Sequence, residues 1–600
     1  MRRVIVPATA VLLSLTAATP VAATLHQAAP HQAAPQQALL QQAARHPVPP
    51  QQKVPVAEGY GGAVATVDLD ASKAAIAVLR KGGNAADAAV AAGAVLGVTE
   101  PYSAGLAGGG FLVYYDARRG QVQTIDGRET APRAMTSTSL EGIPFEEAVT
   151  SGLSAGVPGA VAQWDLALRR FGTLSLKEAL RPAIDVASQG FVVDQTFHAQ
   201  TAQNAARFKD IASTAKLYLP GGAPPPVGSV FRNPELADTY RELGRRGPRW
   251  LYGGELGQEI VTTVKQPPVT PGATRNVRPG LMEMRDLRDY RALLREPTRV
   301  GYQGLKVYGM APPSSGGSTV GEALNILDAL PQVGVHEYLE ASRLAFADRN
   351  AYVGDLPDVP LRELLSDGFA KERACLVGDR AIAHPAAPGA PDGAYGPCDV
   401  PKGAAVPTAE EGPETTHLVV SDRWGNVAAY NLTIESTGGN GIVVPGRGVL
   451  LNNELTDFTF GPAPGDPNLP APGKRPRSSM APTLVFDDGR PVLAVGSPGG
   501  STIITTVLQI LVNRYEFGMN LPDALTAPRA TQRNTAQTQA EQGFLDRHEG
   551  ELEARGHDLV LNPEIGAATA LEFLGRGRVQ AVAEPTRRGG GSALVVSTRR

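Results

Sequence analysis

Toward the C-terminus, apolar residues gather into short continuous runs, the sharpest being Thr415-Thr416-His417-Leu418-Val419-Val420-Ser421-Asp422 after Glu414. A run of that length bounded by turn residues predicts a buried strand. A second run, Val427 to Thr433, follows, and Arg423-Trp424-Gly425 between them has the length and glycine of a three-residue hairpin loop. Pairing Asp422 with Asn426 places Thr415 opposite Thr433, where opposed Cβ atoms lie about 4.5–5.5 Å apart and two hydroxyls can hydrogen-bond. Threonine favours strands, so the pair is equally readable as ordinary strand chemistry.

Upstream the spacing turns helical. Ser72 to Arg80 predicts a helix ended by Gly82-Gly83, and Asn84 caps a second, alanine-rich helix running to about Leu96. The stretch Gly105 to Gly110 leads into a strand over Phe111–Tyr115, which returns through Val122–Ile125 after a turn at Arg119-Gly120. Ala134 to about Gln332 alternates helical patterns with Pro/Gly loops and predicts outer helical layers. Between Arg380 and Pro413, Pro, Gly and Ala dominate and predict an exposed, flexible connector. Beyond the hairpin, two strands flank Asp487-Asp488-Gly489, and the second, Val492–Val495, runs into Gly496-Ser497-Pro498-Gly499-Gly500-Ser501. A helix from Ser501 to Asn513 follows, so the turn's N–H groups form a natural anion or oxyanion site.

Six hundred residues exceed one typical core and predict two lobes. The balance of 56 basic against 59 acidic residues, a net charge of −3, offers no basic footprint for nucleic acid and no polybasic membrane patch. Arg2-Arg3, the apolar run Val4–Leu15 and Pro20-Val21-Ala22-Ala23 have the order of a secretory signal peptide, residues 1–23, with cleavage expected after Ala23. The run is too short to span a bilayer, so an exported, soluble protein is expected. Residues 24–56, mostly Ala, Gln and Pro at first, predict a disordered leader. Cys375 and Cys398, the only cysteines, predict a disulfide. The nine histidines never fall at metal-ligand spacing; His417 reads as a packed histidine, and neither metal nor cofactor is implied. The glycines of 105–110 lack the ending of a phosphate-binding loop and read as structural, or as lying near the nucleophile.

Seven blocks in order resemble the gamma-glutamyltransferase family of N-terminal nucleophile hydrolases: Lys81–Ala88, Gly127-Arg128-Glu129, Pro312–Gly317, Ala345–Arg349, Thr415-Thr416-His417, Ser478-Ser479-Met480 and Gly496–Ser501. The likeness runs from about Ala63 to the C-terminus. It implies an α+β fold, a four-layer αββα sandwich. It also implies self-cleavage between Glu414 and Thr415 into a large subunit, 57–414, and a small one, 415–600. A freed Thr415 would be nucleophile and base together, its α-amino pKa lying near 7.7–8.0. The resemblance makes Thr433 the residue that orients that hydroxyl, and Gly499 and Gly500 the oxyanion donors. It makes Arg128, Ser478 and Ser479 a carboxylate clamp, with Glu454 and Asp457 on the ammonium side. The implied substrates are small molecules: glutathione or related gamma-glutamyl amides, with water or an amino acid or peptide as acceptor.

Two departures stand out. Glu435 occupies a position, two past Thr433, where many family members carry Asn, and a third acid there would sharpen selection for an ammonium or raise a carboxyl's pKa. The segment Phe458–Gly473 is short and has no tyrosine, which predicts an open pocket. Two other readings remain at this stage: an acylase of the same superfamily acting on glutaryl or cephalosporin-type amides, and an uncleaved amino-acid-binding or scaffold protein.

Overall fold

Alternation along the strand that begins at Glu414 sets the architecture. Leu418 and Val420 join a cluster with helices on one side, while Val419 joins a second cluster on the other. A strand buried on both faces needs a layer on each. The computed structural model describes residues 52–396, 398, 414–461 and 465–599. Thirteen strands make one hydrogen-bonded path. They are β1 (Val56–Thr66), β2 (Gly109–Asp116), β3 (Gln121–Asp126), β4 (Leu293–Arg295), β5 (Thr298–Tyr302), β6 (Leu305–Gly309), β7 (Glu414–Asp422), β8 (Val427–Glu435), β9 (Thr483–Asp487), β10 (Arg490–Gly496), β11 (Thr569–Gly575), β12 (Arg578–Ala583) and β13 (Ser592–Ser597). Their order is β4-β3-β2-β8-β7-β1-β12-β11-β10-β9-β6-β5, with β13 also on β1.

The path folds over at β1, which pairs with β12 through Val56–Tyr60 and with β7 through Gly62–Thr66. In consequence β7 and β8 lie face to face with β10 and β11 without hydrogen-bonding to them. Helices α1 (Leu69–Arg80), α2 (Ala85–Thr99), α3 (Ala160–Phe171) and α4 (Gln195–Phe208) belong to the first side, and α5 (Gly316–Asp328), α6 (Val335–Tyr352) and α7 (Thr502–Tyr515) to the second. The four-layer α+β sandwich is thus in place.

The two predicted N-terminal helices form within a few residues of their expected limits. All fifteen residues of α2 are buried, and its small side chains let it lie close against β7 and β8. Asn84 and Asp87 close a reciprocal capping box at its start, an arrangement whose loss costs about 1 kcal/mol. Cys375 and Cys398 form a disulfide, with Cα atoms 5.2 Å apart. His417 is a packed residue: its Nδ1 lies 2.8 Å from Thr569 Oγ1, and burial pushes its pKa down to about 3.

Four expectations need correction. Residues 52–599 belong to one compact unit, because strands from both sides of Thr415 interleave in one sheet path instead of forming separate lobes. The leader does not extend to 56: Val54 and Pro55 carbonyls accept from Ala593 and Ala583, Lys53 Nζ donates to the Gly590 carbonyl, and Val56 opens β1. The 380–413 connector is pinned where it is described, since Ala386 exchanges two hydrogen bonds with Asn534 and the Gly389 N–H reaches Asp348. Its remainder, 399–413, lies outside the described residues, as does the signal peptide. The middle segment contributes β4, β5 and β6 as well as helices. No helix among the described residues is long and apolar enough to cross a membrane.

Candidate active site

The hairpin of β7 and β8 has the expected register from Ser421 opposite Val427 to Thr416 opposite Leu432, then shifts so that Glu435 faces Glu414. Thr415 and Thr433 therefore do not meet hydroxyl to hydroxyl. Thr433 Oγ1 instead donates to the Glu414 carbonyl at 2.9 Å, and accepts the Glu435 N–H at 2.9 Å. The cause is local: Glu435 takes φ +79°, which ends the regular ladder. On its other edge Thr433 pairs with Gly109, and a Cβ on neighbouring Gly108 would stand 2.2 Å from the Thr433 carbonyl oxygen. The glycines of 105–110 thus serve the close approach of β8, near the Glu414–Thr415 bond.

Across the interior, β10 ends in the predicted glycine turn. Gly499 and Gly500 have φ +136° and +55°, and the turn feeds the first turn of α7. Among the described residues neither glycine N–H has a hydrogen-bond partner. Such free donors at a helix start can stabilise an oxyanion.

Arg128, Thr415, Thr433, Glu435, Asp457, Ser478, Ser479 and Gly500 line one cavity with Glu414. Glu454 and Asp457 come from a buried 3₁₀ turn, whose three-residue period sets them side by side. Both carboxylates accept from the Arg128 guanidinium, which also donates to the Pro476 and Arg477 carbonyls. The arginine of the expected carboxylate clamp is therefore in direct contact with both acids of the expected ammonium side. Arg128 is held between the two acids, while the buried Glu454 Oε2 has no hydrogen-bond partner among the described residues. Ser478 is held by backbone bonds to Pro313 and Ser315, and Ser479 Oγ accepts from Arg349 Nη2 at 2.9 Å. The Pro312–Gly317 and Ala345–Arg349 motifs are in this way the scaffold beneath the two serines.

The pocket is not open. Its volume is about 10 Å³, room for a single water, because Glu414 and the Arg128 ion pairs fill it. Glu435 does face it, with Oε2 accepting from Ser436 and Thr456 hydroxyls and the Asn453 amide. Four buried carboxyls thus surround one guanidinium. Burial pushes Glu454 well up, against the pull of Arg128, and Glu129, Asp457 and Glu435 add to the push. Burial carries Glu129 to about 7 against Arg128, and raises Glu435 against its three hydrogen bonds. An excess of acid over base in a dry site favours a cation.

Comparison with known proteins agrees with this geometry. The gamma-glutamyltranspeptidase family matches residues 71–594. The chain belongs to this family. It is 36% identical to the glutathione hydrolase proenzyme of Bacillus subtilis strain 168, over 90% of this chain and 92% of that protein. It is 34% identical to the acylase ACY 1 proenzyme of Pseudomonas strain V22, over 86% and 90%. Among solved structures it resembles a cephalosporin acylase from Bacillus halodurans with a TM-score of 0.79 and 27% identity, covering 92% of this chain and 98% of that one. The protein is thus an enzyme with the hydrolase or transferase activity of the gamma-glutamyltranspeptidase family.

One residue beside the Glu414–Thr415 bond escaped the sequence reading. Arg588 bridges the bond after Glu414: Nη1 donates to the Thr415 carbonyl at 2.6 Å and Nη2 to the Glu414 carboxylate at 2.7 Å and Ser103 Oγ at 2.8 Å. Glu100 lies 3.4 Å from Nη2, and burial lifts its pKa to about 7 against the pull of Arg588. The only sequence signal was an arginine before a glycine run near the C-terminus, which on its own reads as a turn.

Proposed function

We propose that this enzyme cuts its own Glu414–Thr415 bond and then transfers gamma-glutamyl groups from glutathione or related amides to water or to amino acid and peptide acceptors. The observation that carries this reading is the placement of that peptide bond in one cavity with Arg128 and its ring of carboxyls. In the first step Thr415 Oγ attacks the Glu414 carbonyl carbon, which Thr433 polarises by its hydrogen bond. The C–N bond breaks, the nitrogen takes a proton and becomes the Thr415 amine, and water hydrolyses the ester to leave Glu414 with a free carboxylate.

The freed amine then serves as base for Thr415 Oγ. A donor's γ-amide carbonyl takes the place of the Glu414 carbonyl, with Gly499 and Gly500 N–H groups facing the developing oxyanion. Its α-carboxylate draws Arg128 and the hydroxyls of Ser478 and Ser479, while its ammonium is taken by Glu454, Asp457 and Glu435. The amide C–N bond breaks, the leaving amine takes the proton, and a gamma-glutamyl ester forms on Thr415. Water or an acceptor amine resolves it. The reading includes export by residues 1–23, with a large subunit that keeps Lys53–Val56 and ends at Glu414 and a small subunit of 415–600.

The direct test is turnover of gamma-glutamyl-p-nitroanilide by purified enzyme, with release of p-nitroaniline expected and no release counting against the reading. Thr433→Val is expected to slow self-cleavage about 100-fold, as for loss of one oxyanion donor; conversion of the precursor followed on gels checks it. The raised acids give a pH signature. They are protonated below their shifted pKa values and gain charge as pH rises. The KM for the donor is therefore expected to fall several-fold between about pH 6 and 8, through the Glu129 value near 7. A KM flat over that range would refute a contribution of the Glu129 charge to donor binding.

A further inference from the structure

A cavity of about 280 Å³ lies where α6, α7 and the helix α8 (Gln542–Ala554) meet, and it shares no residue with the pocket around Thr415. We propose that it binds a small apolar carboxylate, with the rings or short aliphatic chain in the cavity and the charged end on Arg547 and His548. The site takes no part in the chemistry at Thr415.

The polar groups in its wall are already engaged with the protein. The Tyr338 hydroxyl donates to the Ala530 carbonyl at 2.8 Å. The Gln509 amide donates to the Pro528 carbonyl and accepts the Ala530 N–H, and the Asn513 amide donates to the Ala524 carbonyl. These residues therefore add little polarity to a wall otherwise built from Val335, Val512, Phe517, Met519 and Phe544. Phe517 remains 39% exposed, so an apolar ligand seated against it removes aromatic surface from water. Met519 supplies a flexible thioether that packs well beside rings.

Arg547 and His548, on α8, are not engaged in this way. Among the described residues Arg547 has neither a hydrogen bond nor an ion pair, whereas Asp546 beside it accepts from Gln542, and Glu551, one turn on, pairs with Arg555 at 3.6 Å. The His548 ring lies 4.8 Å from that of Phe544. Burial, helped by Arg547, holds its pKa below the ordinary value, so at neutral pH it offers an uncharged ring with one N–H. One free guanidinium and one N–H beside an apolar chamber fit a monocarboxylate. A second charge, or the backbone of a peptide, would meet side chains that cannot pair with it. The volume, at the lower end for small-molecule sites, limits the ligand to about one or two rings. Val335 and Tyr338 precede Thr415 in the chain and the rest of the wall follows it, so the ligand would touch both segments at once.

The experiment is calorimetric titration of the purified enzyme with 2-naphthoate and with 2-naphthamide, which has the same rings and no charge. Wild type is expected to bind the acid about tenfold or more tightly than the amide, and Arg547→Gln to bring the two affinities together. Phe517→Ala is expected to weaken both ligands several-fold and to keep their ratio. Arg547 and Phe517 are exposed, so both variants are expected to keep the wild-type thermal unfolding midpoint. Excess L-glutamate is expected to leave naphthoate binding unchanged, because the two cavities have separate walls. Absence of binding to wild type at millimolar naphthoate overturns the proposal. So does equal affinity for acid and amide, displacement of naphthoate by glutamate, or a naphthoate affinity unchanged in Arg547→Gln.

Discussion

Replacing Thr415 by alanine is expected to leave the protein as one polypeptide and to remove activity, by roughly 10⁶-fold in kcat as for other lost nucleophiles. Wild type is expected to migrate as two fragments, the smaller beginning at Thr415. The reasoning is stoichiometric: one hydroxyl opens the Glu414–Thr415 bond and later carries the acyl group, so its loss blocks both steps. Gel electrophoresis with N-terminal sequencing of the smaller band checks the first step and p-nitroaniline release the second. A single active band from wild type would falsify self-cleavage, since an internal Thr415 has no amine to act as base.

The second large effect concerns the donor. Gamma-glutamyl-p-nitroanilide is expected to react about 100-fold or more faster than glutaryl-p-nitroanilide, which lacks the ammonium, because the buried acids around Arg128 would be left without their cation. Asp457→Asn and Glu454→Gln are each expected to narrow that gap by about tenfold. The comparison matters because relatives of similar identity include both a glutathione hydrolase and an acylase. Faster glutaryl turnover would place the enzyme with the acylases, and Glu435 and Glu454, both pushed toward neutrality by burial, would then act as neutral hydrogen-bonding walls.

Much of this was legible in the chain because it depends on local pattern. The hairpin around Arg423-Trp424-Gly425, the capped alanine-rich helix, the Asp488-Gly489 turn and the glycine turn before α7 each follow from residues close in sequence. The roles at Arg128, Glu454 and Asp457 came from motif resemblance. Their mutual ion pairing did not, since it joins residues more than 300 positions apart. The register shift at Thr433 was hidden because it turns on one backbone angle at Glu435, a residue type with no tendency to φ > 0. Arg588 was hidden for the same reason as the ion pairs: its partners, Glu100, Ser103 and Glu414, lie far away along the chain. The closed pocket was missed because a short lid was weighed without the Glu414 side of the cavity.

The course of β1 bears on the fate of the cut protein. This strand precedes the cleavage point, yet every strand it pairs with, β7, β12 and β13, follows it. Elsewhere β2 of the first segment pairs with β8 of the second, and β6 with β9. The one disulfide, Cys375–Cys398, stays within the first segment. Fragments cut at Glu414–Thr415 would therefore be woven together without a covalent tie, and neither would keep a complete sheet on its own. In a protein cut at Glu414–Thr415, separation would demand the same disruption as unfolding, so dissociation and unfolding would be one coupled, concentration-dependent event.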